Sequence, residues 1–187
     1  MIWVYVGGCD VHHDLRPCLR AFAGAGTAVR LLVVGDGPDR AAWEEAAGPS
    51  LGRTVTFVGA VPHDRVPIYI GAADLCLGPY PVERWPGGSI GFATLKLPEY
   101  MACARPVASV PSGSILDLVE DGRTGLLFDD TAERWSALLA DPPGRPHLAE
   151  MGRRAAGAVA DRTWSATAEG LLAAARAAVR RSPVAGR

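Results

Sequence analysis

The chain has 187 residues, a hydrophobic fraction of 49% and a formal net charge of -1, which fits one soluble domain with its own core. Basic and acidic residues are interspersed, so no basic stripe of the kind that binds nucleic acid is present. No apolar run approaches membrane-spanning length, and the first residues do not predict a signal peptide. The four cysteines lie far apart without a CxxC pair, which favours reduced thiols over a metal site. We therefore expect a cytoplasmic protein, with peripheral membrane association left open.

Apolar segments alternate with segments of helical periodicity along the chain. The predicted strands span residues 2–6, 29–34, 54–58, 73–77, 106–109 and 124–128. The predicted helices span 15–25, 40–47, 64–70 with a cap at Asp64, 95–103, 112 or 114 to 119, and 131–140 with a cap at Thr131. After a hinge-like break at 141–146, residues 147–181 predict Ala-rich helices interrupted near 161–163.

This alternation predicts an α/β fold, a doubly wound, Rossmann-like parallel sheet covered by helices on both faces. We divide the chain into a Rossmann-like unit over residues 1–145 and a helical extension of it over 146–187. Ligands bind such sheets at the carboxyl ends of the strands, where the Gly-rich turns and the long loop 78–91 lie. Two aromatic residues of that loop are predicted to be exposed, whereas Trp43, Trp135 and Trp164 are predicted core anchors.

The stretch 89–109, SIGFATLKLPEYMACARPVAS, contains Lys96, which is the only lysine of the chain. Pro98 is tolerated only in the first turn of a helix, which places Lys96 and Glu99 near a helix start. There they could hold a phosphate and a sugar hydroxyl together. The alternative is a solvated glutamate and a surface lysine that form a weak pair, and spacing alone slightly favours it.

Three further motifs each have an ordinary alternative. Gly7-Gly8 follows the first strand and can bring backbone N–H groups to a phosphate, or can be a simple turn. Gly35-Asp36-Gly37 resembles the start of a dinucleotide fingerprint, but Arg40 stands where the third glycine is needed, so a tight turn is as good an interpretation. His12-His13 lacks the second half of a metal site, and a phosphate or hydroxyl contact is the better hypothesis.

Together, the segments VYVGG, LLVVGDGP, VTFVGAVPH, ADLCLGPYP, LKLPEYMACARPVAS, LVEDGRTGLLF and RTW resemble the C-terminal, donor-binding domain of family 4 glycosyltransferases. These are retaining enzymes of GT-B fold. The resemblance covers about residues 5–164, and LKLPEYMACARPVAS is its most specific part.

The resemblance implies that a nucleoside-diphosphate sugar binds here without a metal or other cofactor. Glu99 would accept hydrogen bonds from the ribose, and Lys96 would hold the diphosphate or the donor sugar; these two are the implied catalytic residues. Val61-Pro62 would contact the base, and Gly7-Gly8 would approach the diphosphate from the opposite side. The full implied donor-binding set is Gly7, Gly8, His13, Gly35, Val61, Pro62, Gly91, Phe92, Ala93, Thr94 and Leu95.

Several residues depart from the family pattern. Gly8 and His13 stand where the family often has an arginine and a lysine, and Gly91 stands where it has the first of two glutamates. Pro98 and Ala104 are also unusual, the latter because the family has glycine there. The acceptor-binding half of the fold is not part of this sequence, so we expect a fragment or one partner of a split enzyme. The alternatives are a non-catalytic sugar-nucleotide-binding or interaction module and, third, a sugar-nucleotide epimerase of related fold.

Overall fold

The computed structural model describes residues 1–91 and 94–181, and within these residues six parallel strands form one sheet in the order β3-β2-β1-β4-β5-β6. The strands are β1 Ile2–Val6, β2 Arg30–Val34, β3 Val55–Gly59, β4 Leu75–Gly78, β5 Val107–Ser109 and β6 Gly125–Leu127. The helices are α1 Arg16–Gly24, α2 Arg40–Ala47, α3 Val66–Ala72, α4 Lys96–Ala102, α5 Ala132–Ala140, α6 Arg145–Val159 and α7 Trp164–Arg181. The predicted doubly wound α/β fold and its six strands are confirmed.

Side chains of β1 alternate between two hydrophobic cores, one on each face of the sheet. Trp3 and Tyr5 belong to the core beneath α1, α2 and α5, where Trp3 packs edge-on against Phe22 at 5.8 Å between ring centroids. Val4 points into the second core, which contains Leu97 and Tyr100 of α4 together with Ala155 and Val159 of α6. Burial on both faces explains why these strands are continuous apolar runs in the sequence.

The chain departs from the predicted elements between β5 and β6. A single 3-10 turn, Gly113–Ile115, replaces the helix predicted to end at Val119. Gly113 has φ +51°, and a Cβ there would lie 2.0 Å from the carbonyl oxygen of Ile90, so this backbone packs directly on the loop before α4. That long-range contact prevents a regular helix.

Capping was predicted correctly at one of two helices. The Thr131 hydroxyl accepts a hydrogen bond from Arg134 N at 3.3 Å, as an N-cap does. Asp64 lies instead within the 3-10 turn His63–Arg65, and α3 begins after Arg65 without a side-chain cap. The cap prediction at Asp64 is therefore wrong.

The aromatic predictions are partly corrected. Trp43 and Trp135 are fully buried, but Trp164 at the start of α7 is 79% exposed and anchors no core. Tyr80 was expected to be exposed but is 1% exposed, and Trp85 is half-buried. The loop after β4 thus packs its aromatic residues inward.

The two C-terminal helices differ in their packing. Helix α6 buries Leu148, Met151 and Ala155, and it packs on α4 and β6. Residues 164–180 of α7 are exposed throughout. Over residues 1–91 and 94–181, no helix combines the length and the hydropathy needed to cross a membrane.

Candidate active site

The turns after β1 and β2 meet at the carboxyl edge of the sheet. Gly7 N donates to Val34 O at 3.0 Å, and Gly35 N donates to Gly59 O at 2.8 Å. Gly35 has φ +131°, and a Cβ there would lie 2.0 Å from Gly7 O. Only glycine permits this approach. The Gly35 turn therefore packs directly against the backbone of the Gly7-Gly8 turn.

The Lys96 side chain crosses the end of β1. A Cβ on Gly7 would lie 2.7 Å from Lys96 Nζ, so the ammonium group rests against the Gly7 backbone. Lys96 Nζ donates to the Tyr5 hydroxyl at 3.2 Å and lies 4.4 Å from the Tyr5 ring centroid and 5.7 Å from that of Tyr80. The structure therefore brings Lys96 and Gly7, predicted from segments 89 residues apart, into direct contact.

Lys96 has no carboxylate within ion-pair distance among the described residues, since the ion pairs found there all involve other cations. Burial lowers the pKa of Lys96 to about 7, although the negative charges of Asp10 and Glu99 act in the opposite direction. The sequence analysis offered a weak surface ion pair between Lys96 and Glu99 as the alternative to a ligand site, and this ion pair is not formed. Within the described part of the chain, the site instead holds a lysine without a counter-ion, which is an arrangement suited to an anionic ligand.

The two histidines of the β1–α1 loop have different surroundings. His13 Nδ1 lies 3.0 Å from Asp10 Oδ1, and its ring lies 5.5 Å from the Tyr80 ring. Burial and the nearby Lys96 charge lower the pKa of His13. His12 is exposed and stacks near Trp85, 5.3 Å between ring centroids. Among the described residues, no three His, Cys, Asp or Glu side chains are grouped as a metal ion would need.

Glu99 lies on the next turn of α4 and lines a cavity of about 590 Å³ between α4 and the start of α7. Its exposed carboxylate has no hydrogen-bond or ion-pair partner among the described residues. Thr94 lines the same cavity and is buried, with its hydroxyl hydrogen-bonded to the Tyr80 hydroxyl. Thr94 thus links the Glu99 cavity to the aromatic rings around Lys96.

The remaining predicted residues are more scattered. Val61 is half-buried against the second core and Pro62 is exposed, and neither lines the Glu99 cavity. Leu95 does line it and is 63% exposed. Gly91 is exposed, and no atom of residues 1–91 and 94–181 lies within 4 Å of a Cβ built on it. Phe92 and Ala93 lie outside the described residues.

Sequence analysis missed the residues that surround the Lys96 ammonium group. Tyr5 was assigned only to a strand, and Tyr80 only to a loop. Both are fully buried, and the Tyr5 hydroxyl donates to Gly8 O at 2.6 Å while it accepts from Lys96. No sequence signal distinguishes such a tyrosine from an apolar strand residue, because its partner lies 91 residues away.

Solved structures define the class to which this fold belongs. Sucrose-phosphate synthase from Thermosynechococcus elongatus superposes with a TM-score of 0.75 at 28% identity, over 97% of this chain and 46% of that chain. Anabaena HepE in complex with UDP and glucose superposes with a TM-score of 0.71 at 19% identity, over 95% of this chain and 48% of that chain. The fold is a Rossmann-like half-domain of the GT-B glycosyltransferases.

Sequence comparison then gives the family. The model described as Glycosyl transferases group 1 matches residues 2–141, so the chain belongs to that family. The D-inositol 3-phosphate glycosyltransferase of Nocardia farcinica is 36% identical over 159 residues, 79% of this chain and 33% of that protein. The 2-deoxystreptamine glucosyltransferase of Streptomyces kanamyceticus is 33% identical over 135 residues, 69% of this chain and 32% of that protein. The chain thus spans about a third of the length of these relatives.

Proposed function

We propose that this chain is the donor-binding half of a family 4 retaining glycosyltransferase, which moves a sugar from a nucleoside-diphosphate sugar to an acceptor. The observation that carries the proposal is the position of Lys96 against Gly7, with the exposed carboxylate of Glu99 one helical turn further along α4. Among the described residues, the Lys96 cation has no counter-ion and the Glu99 carboxylate has no partner, a combination that matches a diphosphate linked to a ribose.

Lys96 holds the diphosphate in this proposal. Its ammonium makes one hydrogen bond, to Tyr5, and its other two N–H groups have no partner among the described residues. The missing side chain of Gly7 makes room for the Lys96 ammonium group, and a Cβ on Gly8 would lie 2.6 Å from Asp10 Oδ2. The backbone of Gly7 and Gly8 and the His13 side chain are the further phosphate contacts that the resemblance implies. Lys96 then stabilises the charge that develops on the diphosphate as the sugar departs, in a site where burial strengthens electrostatic effects. We propose that this cation acts in place of a metal ion.

Glu99 binds the ribose in this proposal. Its carboxylate accepts hydrogen bonds from the two ribose hydroxyls, and such charge-assisted bonds are about twice as strong as neutral ones. The resemblance places the base at Val61-Pro62 and the remaining phosphate contacts at the backbone of residues 93–95. These assignments remain predictions.

We also propose that the acceptor binds a second half, either on the same polypeptide or on a partner chain. The support is that this chain covers less than half of each of the two solved structures named above. Helix α7 also exposes four large apolar side chains: Trp164 at 79%, Leu171 at 68%, Leu172 at 56% and Val179 at 76%. A helix that exposes so many apolar side chains is a candidate contact surface for that half. The location proposed for the assembly is cytoplasmic, where its four free cysteines remain reduced.

Calorimetric titration with UDP, GDP, ADP and UDP-glucose tests the donor site. We expect one of these nucleotides to bind, and Glu99→Gln to weaken binding by about 1–3 kcal/mol, because a neutral amide accepts hydrogen bonds less strongly. Glu45→Gln is the matched control, because Glu45 is exposed on α2, on the opposite face of the sheet from α4. A folded sample that binds none of the four nucleotides would refute the proposal.

The second candidate is a non-catalytic sugar-nucleotide-binding or interaction module. Gly91 favours this second candidate. The family has a glutamate at this position, whereas glycine has no side chain that could contact the donor sugar. The comparison of UDP with UDP-glucose tests whether the chain contacts the donor sugar. Equal affinities would mean that it does not, as expected from the lack of a side chain at residue 91.

A further inference from the structure

We infer that Tyr5 is a positioning residue: its hydroxyl holds the Lys96 ammonium group against the Gly7-Gly8 turn so that two N–H groups remain free for an anionic diphosphate. The role of the diphosphate in this inference rests on the proposed function, but the positioning itself does not. Neither the family resemblance nor the relatives assign a role to this tyrosine.

The Tyr5 hydroxyl is fixed by its two hydrogen bonds. It donates to Gly8 O at 2.6 Å, so its proton is committed to the turn after β1. Its oxygen is then left to accept from Lys96 Nζ at 3.2 Å. The ring is immobilised in the first core, where it meets Trp43 edge-on at 5.4 Å between centroids. The buried Tyr5 side chain thereby links the Gly7-Gly8 turn to Lys96, and in the proposed function both contact the same diphosphate.

A hydroxyl suits this role better than a carboxylate. An aspartate in contact with Lys96 would neutralise the ammonium charge and compete with the diphosphate for it. A phenol hydroxyl that already donates to Gly8 offers one neutral acceptor, and the Tyr5 ring face adds a weak attraction for the cation at 4.4 Å. Lys96 is therefore oriented while its charge stays available.

The groups that act on Lys96 come from every element packed around it. Burial disfavours its charge, whereas the anionic groups of the β1–α1 loop and of α4 favour it. The titratable neighbours are Tyr5 on β1, Cys9, Asp10 and His13 in the β1–α1 loop, Tyr80 in the loop after β4, and Glu99 on α4. Of these, Tyr5 is the one that shares a hydrogen bond with Nζ among the described residues.

Because Lys96 is the only lysine, the test can be made on one nucleus without any ligand. A protein labelled with ¹³C and ¹⁵N at lysine, carrying no lysine in its tag, gives one side-chain Cε signal whose shift with pH reports the Lys96 titration. We expect Tyr5→Phe to lower the titration midpoint by about one pH unit, because the charged form loses its hydrogen-bond acceptor. The phenyl ring is retained, so the core around Trp43 stays filled.

Tyr100→Phe is the matched control. Its hydroxyl also bonds to β1, with Val6 N donating to it at 2.8 Å and Val6 O accepting from it at 3.0 Å, but it does not contact Lys96. Loss of the Tyr100 hydroxyl should therefore lower the free energy of unfolding. It should leave the midpoint of the Lys96 titration within about 0.2 pH units of the wild-type value. An unchanged midpoint in Tyr5→Phe, or an equal shift in both variants, would overturn the inference. If Tyr5→Phe does not fold, the absence of a nuclear Overhauser effect between the Lys96 Cε protons and the Tyr5 ring in wild-type protein would overturn it equally.

Nucleotide binding completes the test. At pH 6.5 we expect Tyr5→Phe to bind the preferred nucleoside diphosphate about tenfold more weakly than wild type, since Lys96 is then less charged and less well oriented. Tyr100→Phe should bind like wild type. A midpoint that shifts in Tyr5→Phe while wild-type protein binds no nucleotide would refute the donor site but confirm that Tyr5 positions Lys96.

Discussion

Gly152 of α6 packs directly against the backbone of Ala104, the residue that follows the last turn of α4. A Cβ built on Gly152 would lie 2.2 Å from Ala104 O and 2.9 Å from Ala104 C. This contact sets the distance between α6 and α4, the helix that carries Lys96 and Glu99. The C-terminal part of the chain therefore helps to place the candidate site.

Gly152→Ala should lower the free energy of unfolding by about 2–3 kcal/mol, because the added methyl group meets backbone atoms that cannot move independently. Urea unfolding followed by far-UV circular dichroism measures this. Gly157→Ala is the control, because Gly157 is on the same helix and a Cβ built on it has no atom of the described part of the chain within 4 Å. It should raise the free energy of unfolding by about 0.5–1 kcal/mol, since alanine is the better helix former. Equal effects at the two positions would show that α6 does not pack on α4 in this way.

Ala104→Gly should stabilise the protein by about 0.5–1 kcal/mol. Ala104 has φ +54°, the left-handed region that costs a residue with a Cβ about 1–2 kcal/mol, partly offset by the greater entropy of glycine in the unfolded chain. The left-handed conformation of Ala104 ends α4. It allows Ala104 N to donate to Met101 O at 2.9 Å and Arg105 N to donate to Tyr100 O at 3.1 Å. Denaturant unfolding of both proteins measures the difference, and a loss of stability in Ala104→Gly would contradict this account.

The sequence was enough to predict the sheet, because strands buried on both faces of a parallel sheet are continuous apolar runs. It also indicated Lys96, Glu99 and the Gly7-Gly8 turn as candidate site residues, because paired glycines and a single lysine can be recognised in the sequence itself. The surroundings of Lys96 were not predictable. Tyr5 contacts it across 91 residues, and a tyrosine inside a strand gives no sign of what its hydroxyl meets.

Two other errors have the same origin in long-range structure. The helix predicted before Val119 gives way to a turn because Gly113 packs on the backbone of Ile90. Trp164 lies on a helix of good amphipathic pattern, yet the pattern does not say what covers its apolar face. Local periodicity predicts elements, whereas tertiary partners decide which elements persist and which faces are buried.

The affinity for a nucleoside diphosphate should fall as the pH rises above 7. Burial lowers the pKa of Lys96 to about 7 in the free protein, and a bound diphosphate must raise it because the anion stabilises the ammonium form. Below pH 7 the lysine is already charged, so its contribution to binding is fully present. Above pH 7 binding must draw a proton onto Lys96, which weakens the affinity by up to about tenfold per pH unit.

Calorimetry between pH 6 and pH 9, in buffers that differ in ionisation enthalpy, measures both the affinity and the number of protons taken up. We expect uptake to approach one proton at pH 8.5 and to be near zero from Lys96 at pH 6. Lys96→Arg should remove this dependence, because arginine stays charged throughout the range. A wild-type affinity that does not change between pH 7 and pH 9 would contradict an ammonium contact with the diphosphate.

Gly91→Glu should convert a chain that binds the nucleotide into one that also recognises the donor sugar. The resemblance places a carboxylate at this position, eight residues before Glu99, and the structure leaves room for it. Gly91 is exposed, no atom of the described residues lies within 4 Å of a Cβ built on it, and its φ lies outside the left-handed region. The substitution should therefore leave the free energy of unfolding unchanged within about 0.5 kcal/mol. A carboxylate that accepts hydrogen bonds from sugar hydroxyls should then raise the affinity for UDP-glucose relative to UDP by about tenfold or more. Gly91→Gln keeps the length of the side chain without its charge and should give a smaller gain. If neither variant separates UDP-glucose from UDP, residue 91 does not face the donor sugar, and the loop that contains it serves another purpose.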